Sequence, residues 1–299
     1  MQLTIKEILK RTYTFNRNMI SRMPIQGLMG GSKILDSYTS EAATPQTALD
    51  IFKGEWASKF PDSTGLKTKP GLIPLFEDSR IDWAEKTLGG FKDKKCIELG
   101  PLEAGHSYML QKKGASKVTA IEANSRAFLK CLCVKEVLQL DKVDFKFGDF
   151  RAHFEQSNER YDVLIASGVL YHMLDPLKLL KQMAQASDKL FIWTHYYDAK
   201  IINSNPDLSY KFKSIESFDR DGATYQAAEQ FYKASLAWNG FCGGSAPNSR
   251  WLTRDSILNY LKAQGFSKID ISAEILNHQN GPSFALCAQR EQVPNVRKS

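Results

Sequence analysis

The chain has 299 residues, of which 42% are hydrophobic and 24% charged, a balance typical of a globular protein that buries a core. This composition excludes a disordered chain, a collagen and a small scaffold held together by disulfides. The net charge of +7 permits an anionic substrate or a nucleic acid as a partner without requiring either. Five cysteines without a C-x-x-C pair predict reduced thiols in a cytoplasmic protein. No targeting segment is expected, and no apolar run approaches the roughly 20 residues of a membrane span.

Residues 1–90 are expected to form a helical and irregular extension. The apolar and basic positions of residues 1–23 follow the pattern of a helix that packs on the rest of the protein, although a transit peptide or surface-binding helix has the same pattern. Residues 24–75 are rich in glycine, proline, serine and threonine, which favours irregular structure. A helix is predicted over residues 78–88, where a pair of glycines stops it.

From residue 91 onwards, short apolar runs alternate with helical patterns. Strands are predicted over residues 95–99, 117–122, 143–147, 161–167 and 189–194. Helices are predicted between them, over residues 107–113, 125–138 and 176–186. This alternation produces βαβ units, so we predict an α/β fold built on a parallel sheet.

The alternation breaks at Tyr196, and we expect residues 199–250 to form an inserted substrate lid. This lid is predicted to contain a helix over residues 224–236 and a glycine-rich loop over residues 240–244 that lets it close. Aromatic residues in this lid and directly after it either stack on a bound base or sugar or form a small core of the insertion: Trp238, Phe241 and Trp251.

The strand and helix pattern resumes after the insertion. A helix is predicted over residues 254–264, and two strands over residues 267–272 and 284–289 are expected to form an antiparallel hairpin at the sheet edge. Residues 91–198 and 251–290 then make up one α/β domain, followed by a flexible tail over residues 291–299.

The turn after the first strand of this domain is the most informative segment. Gly100 allows a ligand to approach the backbone closely, and Gly105 permits a sharp turn at the start of the next helix. The glycine spacing is not G-x-G-x-x-G, which disfavours a dinucleotide. Glu122 ends the second strand, where an acid can accept hydrogen bonds from both hydroxyls of an adenosine ribose. The alternative is an ordinary turn with a surface glutamate.

Other polar and aromatic side chains follow the later strands. Asp149 and Phe150 come after the third strand, where they are expected to meet an adenine by its amino group and its face. Ser167 ends the fourth strand. Because the carboxyl ends of parallel strands share one edge of the sheet, these groups are expected to face a common ligand.

Two histidines at the same edge are candidate bases. His172 follows the fourth strand and His195 follows the fifth, and a neutral imidazole titrates near working pH. Asp198 stands close enough in sequence to orient His195, while Tyr171 is expected to shape the pocket. The alternatives are a core position for Tyr171 and a backbone carbonyl as the partner of His195. A metal site formed with Asp175 is disfavoured relative to hydrogen bonding, so no metal is predicted.

The run from residue 95 to about residue 197 resembles a class I S-adenosylmethionine-dependent methyltransferase. Glu98-x-Gly100 resembles the first motif of that class, Glu122 its ribose acid and Asp149 its adenine-side residue. The resemblance implies a Rossmann-like, seven-stranded, mostly parallel sheet with an antiparallel C-terminal hairpin, and S-adenosyl-L-methionine as the cofactor. The implied cofactor-binding residues are Glu98, Gly100, Glu103, Gly105, His106, Glu122, Asp149, Phe150 and Ser167.

A more local resemblance is to the tRNA wobble-uridine carboxymethyltransferases. It rests on the sequence Gly-Val-Leu-Tyr-His over residues 168–172, on Asp-Pro-Leu over residues 175–177, and on His106. The basic and aromatic pattern that precedes the strand in that family is incomplete here, where Trp83 is followed by Ala-Glu-Lys, so we expect ordinary S-adenosylmethionine and plain methyl transfer. Pro101 and Leu102 stand where many relatives have a second glycine, which keeps a non-catalytic scaffold as an alternative.

The predicted function is therefore in-line transfer of a methyl group to a nucleophile, a hydroxyl, of a small molecule or sugar. The sulfonium methyl is already electrophilic, so the protein mainly positions the acceptor, and a base is needed only for a hydroxyl or a protonated amine. The catalytic candidates are His195, His172 and Tyr171. A tRNA-modifying enzyme and a non-catalytic cofactor-binding scaffold are the alternatives. The sequence leaves the acceptor atom and the oligomeric state open.

Overall fold

The computed structural model describes residues 38–237 and 240–291, which belong to two compact units. The first unit ends at Phe52, and its described part contains the short helix α1 (Pro45–Leu49) and a 3-10 turn (Asp50–Phe52). The hydroxyl of Thr44 accepts a hydrogen bond from the amide of Thr47 and thereby caps α1. The helix expected over residues 1–23 lies outside the described residues.

The second unit starts at residue 53 with a small parallel pair of strands. These strands are β1 (Trp56–Ser58) and β2 (Pro70–Ile73). Helix α2 (Ser79–Leu88) follows, in agreement with the predicted helix. The carboxylate of Asp78 accepts from the amide of Arg80 at its start, and Gly89 ends it in the left-handed conformation.

The central α/β region then alternates as predicted. Its strands are β3 (Lys95–Leu99), β4 (Lys117–Glu122), β5 (Val143–Phe147), β6 (Val163–Ser167) and β7 (Lys189–His195). Its helices are α3 (Gly105–Lys112), α4 (Ser125–Leu138), α5 (Phe150–Gln156) and α6 (Pro176–Ala186). Helix α5 was not among the predicted elements; Asp149 caps its start.

The inserted region contains a second sheet rather than the predicted helix. After helices α7 (Ala199–Ser204) and α8 (Pro206–Ser209), it forms strands β8 (Glu216–Arg220), β9 (Ala223–Phe231) and β10 (Asn248–Leu252). They pair antiparallel in the order β10-β9-β8. The helix predicted over residues 224–236 is therefore wrong. The missed signal is Asp221-Gly222, whose φ angles of +51° and +83° suit the tight turn of a β-hairpin.

The chain returns to the central sheet through α9 (Arg254–Ala263), β11 (Lys268–Ile275) and β12 (Ser283–Gln289). The seven strands lie in the order β11-β12-β7-β6-β3-β4-β5. Strand β12 runs antiparallel to both β7 and β11, while β3 to β7 are parallel to one another. This arrangement confirms the predicted fold class, including the antiparallel C-terminal hairpin.

The core follows from the sequence of the inner strands. Strand β6 is apolar along nearly its whole length and buried on both faces, as a central parallel strand must be. Its residues pack with helix α6 and with β7 and β12 in one continuous cluster. Five parallel strands consequently end at one edge of the sheet, where the turns after them form the candidate site. Among the described residues, no helix is long and apolar enough to cross a membrane.

Candidate functional site

The turn between β3 and α3 bends tightly at the sheet edge. Gly100 has a φ of +65°, and a Cβ atom there would lie 2.7 Å from Cγ1 of Val169, so only glycine fits. Leu102 and Ala104 also adopt positive φ angles, of +54° and +66°. The amide of Leu102 donates to Oε2 of Glu122 over 3.1 Å, which ties this turn to the end of β4.

Glu122 presents a buried carboxylate next to this turn. Its other oxygen, Oε1, accepts from the amide of Asn124 over 2.8 Å. Burial raises the pKa of Glu122, and the backbone donors act in the opposite direction. The amides of Leu102 and Asn124 approach different oxygens, and a carboxylate oxygen can accept more than one hydrogen bond. An acceptor-only pair of oxygens fits the two hydroxyls of a ribose, so the residues present suit an adenosine-bearing cofactor.

Glu98 and His106 belong to a buried charged network rather than to the open turn. The hydroxyl of Ser107 donates to Glu98, and His106 lies between Glu98 at 3.5 Å and Asp78 at 2.9 Å. Burial alone would lower the pKa of His106, but its hydrogen bonds to the two carboxylates outweigh burial and raise the pKa. The network joins the start of α2 to β3 and α3. The guanidinium of Arg80, bound to Asp78, then lies over the ring of Trp193.

Two residues of the predicted cofactor set have other partners. The Glu103 carboxylate accepts from the amide of Ser58 over 2.7 Å and from the ammonium of Lys130 over 2.8 Å, so it faces β1 and α4. We therefore correct its assignment from cofactor binding to anchoring of β1. A Cβ atom on Gly105 would lie 2.7 Å from the backbone of Leu75, so this glycine serves close packing.

The two predicted adenine-side residues, Asp149 and Phe150, also have contacts within the protein. Asp149 accepts from the amide of Arg151 and pairs with its guanidinium at 2.6 Å, which lowers the pKa of Asp149. The Phe150 ring is a buried member of the main core, and its expected contact with an adenine stays a prediction. Ser167 is half-buried at the end of β6, beside the left-handed Gly168.

Imidazole and aromatic rings gather where β6 and β7 end. The ring of His195 stacks on Trp251 with centroids 5.1 Å apart and meets Tyr171 edge-on at 4.8 Å. Trp193 lies on the same face of β7 as His195, two residues before it, with ring centroids 5.2 Å apart. The structure thus brings together all three predicted catalytic residues, because His172 lies 4.1 Å from the Tyr171 ring.

The hydrogen bonds of His195 determine its protonation. Its Nδ1 lies 2.9 Å from the carbonyl oxygen of Gly281 and 3.2 Å from that of Pro282. Carbonyl oxygens only accept, so Nδ1 carries the proton. Burial lowers the pKa of His195 to about 4, so the ring is neutral at pH 7 and Nε2 carries a lone pair. Asp198 does not orient His195 as expected, because its carboxylate caps α7 by accepting from the amide of Ile201.

His172 is held by the inserted region. Its Nδ1 lies 2.8 Å from the hydroxyl of Tyr232, which in turn lies 3.2 Å from the carbonyl oxygen of Gly243. Burial lowers the pKa of His172 to about 3. The Phe241 ring packs on Tyr232 with centroids 4.7 Å apart, so the loop over residues 240–244 contacts this side of the site.

Trp251 and Trp238 are the other large aromatic residues predicted to act in the insertion. Trp251 is buried in a small cluster with Tyr197, Ile202, Leu208 and Ala228, which supports a core position for it. Trp238 lies outside the described residues. In the described parts of the chain, no three His, Cys, Asp or Glu side chains converge as ligands for a metal ion.

Four residues of the site were not singled out from the sequence: Arg80, Trp193, Tyr232 and His278. A period of two from Trp193 to His195 within the predicted strand was available as a signal. The other three approach the site from distant segments, and no local pattern marks them.

Comparisons with known proteins agree with this fold. A family model described as a methyltransferase domain matches residues 80–271. The fold is similar to the N-terminal domain of EvdMO1, crystallised in the presence of SAH and D-fucose: 21% identity, a TM-score of 0.59, and coverage of 83% of this chain and 95% of that chain. The same domain with SAH bound has 22% identity, a TM-score of 0.52, and coverage of 72% and 82%. No curated protein sequence matches significantly.

Proposed function

This chain belongs to the methyltransferase-domain family, with the fold of the class I S-adenosylmethionine-dependent enzymes, and we propose that it methylates a hydroxyl group of a sugar or a related small molecule. The observation that carries this proposal is the state of His195. It is neutral at pH 7, its Nδ1–H is committed to a backbone carbonyl, and its Nε2 has no hydrogen-bond partner among the described residues. A buried imidazole in this state is suited to accept the proton of a hydroxyl.

The cofactor would lie across the turn after β3. We assign the Glu122 carboxylate to the ribose hydroxyls and the backbone around Gly100 to close approach of the nucleoside. Bound S-adenosylmethionine supplies a methyl group on a positively charged sulfur. The network of Glu98, His106 and Asp78 keeps the surrounding turn and the start of α2 in place.

The protein's contribution to the chemical step is positioning and proton transfer. His195 would accept the hydroxyl proton at Nε2 as the acceptor oxygen takes the methyl group that bound S-adenosylmethionine would supply, which leaves a methyl ether and SAH. The Nδ1–H bond to Gly281 orients the ring and stabilises the imidazolium that forms.

We extend the proposal to residues 199–250 as the acceptor-side insertion. Tyr232 and Gly243 reach the site through His172, over contacts of 2.8 and 3.2 Å. The D-fucose present with the similar EvdMO1 domain supports a sugar as the acceptor class.

The test is methyl transfer from S-adenosylmethionine carrying a deuterated methyl group to the small-molecule fraction of the source cells. Mass spectrometry and NMR of the labelled product should find the methyl group on oxygen of a polyhydroxylated compound. His195→Asn protein is the matched control, since its amide can still donate to Gly281 but offers no base. A label found on nitrogen, on carbon or only on RNA would overturn the proposal.

A further inference from the structure

The turn between β11 and β12 contributes a side chain that no part of the mechanism has used. His278 lies in this turn, half-buried, with its ring centroid 4.9 Å from that of His195 and 6.4 Å from that of Trp193. It therefore reaches the site from a hairpin whose other role is to complete the edge of the sheet.

The backbone of the turn determines the protonation of His278. The amide of Asn280 donates to its Nδ1 over 3.1 Å, so Nδ1 carries a lone pair. Burial and the nearby charge of Arg80 lower the pKa of His278, which keeps the ring neutral at pH 7. The one ring proton of a neutral imidazole then resides on Nε2.

His195 has the opposite arrangement. Its Nδ1 donates to the carbonyl oxygen of Gly281, one residue after the amide that donates to His278. Both rings thus turn their Nδ1 edges to the same backbone turn, and both Nε2 atoms lie on the sides away from it. In the part of the chain that the structure describes, neither Nε2 has a hydrogen-bond partner. The site offers one free acceptor and one free donor on adjacent rings.

We propose that His278 is a substrate-binding residue whose Nε2–H donates to an oxygen neighbouring the hydroxyl that His195 deprotonates. The inference rests on the proposed function and narrows its substrate class to acceptors with oxygens on adjacent carbons, as in a vicinal diol. An isolated alcohol would offer the Nε2–H of His278 no acceptor, so its complex would lack that hydrogen bond. The two imidazoles therefore favour acceptors that carry a second oxygen next to the methylated hydroxyl over isolated alcohols.

Two substitutions separate the donor from the structural role. In His278→Asn, the amide group can still accept from Asn280, but nothing reaches the position of Nε2. In His278→Gln, the longer side chain places an amide N–H near that position. Thermal unfolding of both variants should match the unsubstituted protein, because the turn keeps its packing.

The probes are SAH and D-fucose. SAH should bind all three proteins with equal affinity by calorimetry. D-fucose, titrated into the SAH complexes and followed by NMR, should bind His278→Asn about tenfold more weakly and His278→Gln within about threefold of the unsubstituted protein. Failure of SAH to bind the unsubstituted protein would overturn the proposed function itself.

A second readout does not depend on the sugar. Long-range proton–nitrogen NMR of the ¹⁵N-labelled protein should show the proton of His195 on Nδ1 and that of His278 on Nε2. A proton on Nδ1 of His278, or SAH complexes in which D-fucose fails to bind or binds the asparagine variant undiminished, would overturn the inference while leaving methyl transfer intact.

Discussion

At the level of single residues, the proposed reaction depends on one charged and one neutral side chain: Glu122 binds the cofactor and His195 accepts the proton. Glu122 is a buried carboxylate stabilised by backbone amides, and His195 is a buried imidazole kept neutral by burial. Within the described residues, neither side chain forms a salt bridge, so each retains hydrogen-bonding capacity for a bound molecule. The carboxylate of Glu103, by contrast, accepts hydrogen bonds from Lys130 and from the backbone of β1.

Replacing Glu122 with glutamine should weaken SAH binding by about 1–3 kcal/mol, the range for a hydrogen bond to a charged acceptor. In the glutamine variant, the side-chain NH₂ group also faces the backbone amide of Leu102 or Asn124, and two donors that face each other cannot form a hydrogen bond. Calorimetry with SAH measures the change. Asp141→Asn, which removes an exposed charge after α4, is the control and should leave affinity unaltered. Equal affinities for the two variants would mean that the ribose is held elsewhere.

The pH dependence of turnover should report His195. Its pKa is lowered to about 4, so the base stays neutral and competent as pH falls from 8 to about 5, and turnover declines only below that range. An ordinary histidine would already lose activity near pH 6.5. Turnover measured at saturating S-adenosylmethionine between pH 4.5 and 8 tests this, with circular dichroism to confirm folding.

His195→Asn should lower turnover by about 10²–10⁴-fold while SAH affinity is retained. Normal turnover of this variant would show that the acceptor needs no proton transfer to that imidazole.

At the scale of elements, the hairpin turn before β12 is a scaffold for the site rather than a mere connection. Gly281 has a φ of +110°, and a Cβ atom there would lie 2.9 Å from Cζ3 of Trp251. Its carbonyl oxygen accepts from His195, and the neighbouring amide of Asn280 holds His278. The last strands of the fold consequently set the orientation of two imidazoles.

Gly281→Ala should therefore reduce both stability and turnover. The left-handed backbone strains any alanine, and the contact with Trp251 adds an overpacking cost of about 1–3 kcal/mol. Gly222→Ala is the matched control, because Gly222 has a φ of +83° with open space around it. The loss of stability in this variant therefore reports backbone strain alone. Urea unfolding of the two variants gives the difference. Equal losses of stability would show that the turn relaxes away from Trp251.

At the scale of the whole molecule, several basic residues in and next to the insertion are paired with acids. Examples are Lys213 with Glu229 at 2.6 Å and Arg220 with Asp175 at 3.0 Å. Arg250 and Arg254 likewise meet Glu216 and Glu274. These ion pairs reduce the positive charge that this part of the surface offers to a phosphate backbone.

Bulk tRNA should accordingly bind weakly, with no binding detectable by filter retention at physiological salt. The weak, salt-sensitive binding of any basic protein is expected only at low ionic strength. Tight binding that persists at physiological salt would favour the tRNA-modifying alternative over a small-molecule acceptor.

Much of the fold could be predicted because apolar residues recur along the chain with the periods of strands and helices. Strands β3, β4 and β5 and helices α4 and α6 begin and end where the apolar runs and the capping residues predicted. Such elements are determined by neighbours within a few residues. The helix predicted over residues 224–236 failed for the complementary reason: the hairpin turn and pairing with β8 and β10 outweighed its helical pattern.

Local patterns along the chain are therefore enough to predict the alternation of strands and helices, and with it the set of polar residues at one edge of the sheet. The contacts of those residues depend instead on how distant segments pack. His195 takes its proton partner from Gly281, 86 residues away, rather than from nearby Asp198, and Glu103 turns to a strand 45 residues before it. Periodicity is a property of neighbours along the chain, whereas the direction of a buried hydrogen bond depends on whichever distant segment the fold packs beside it.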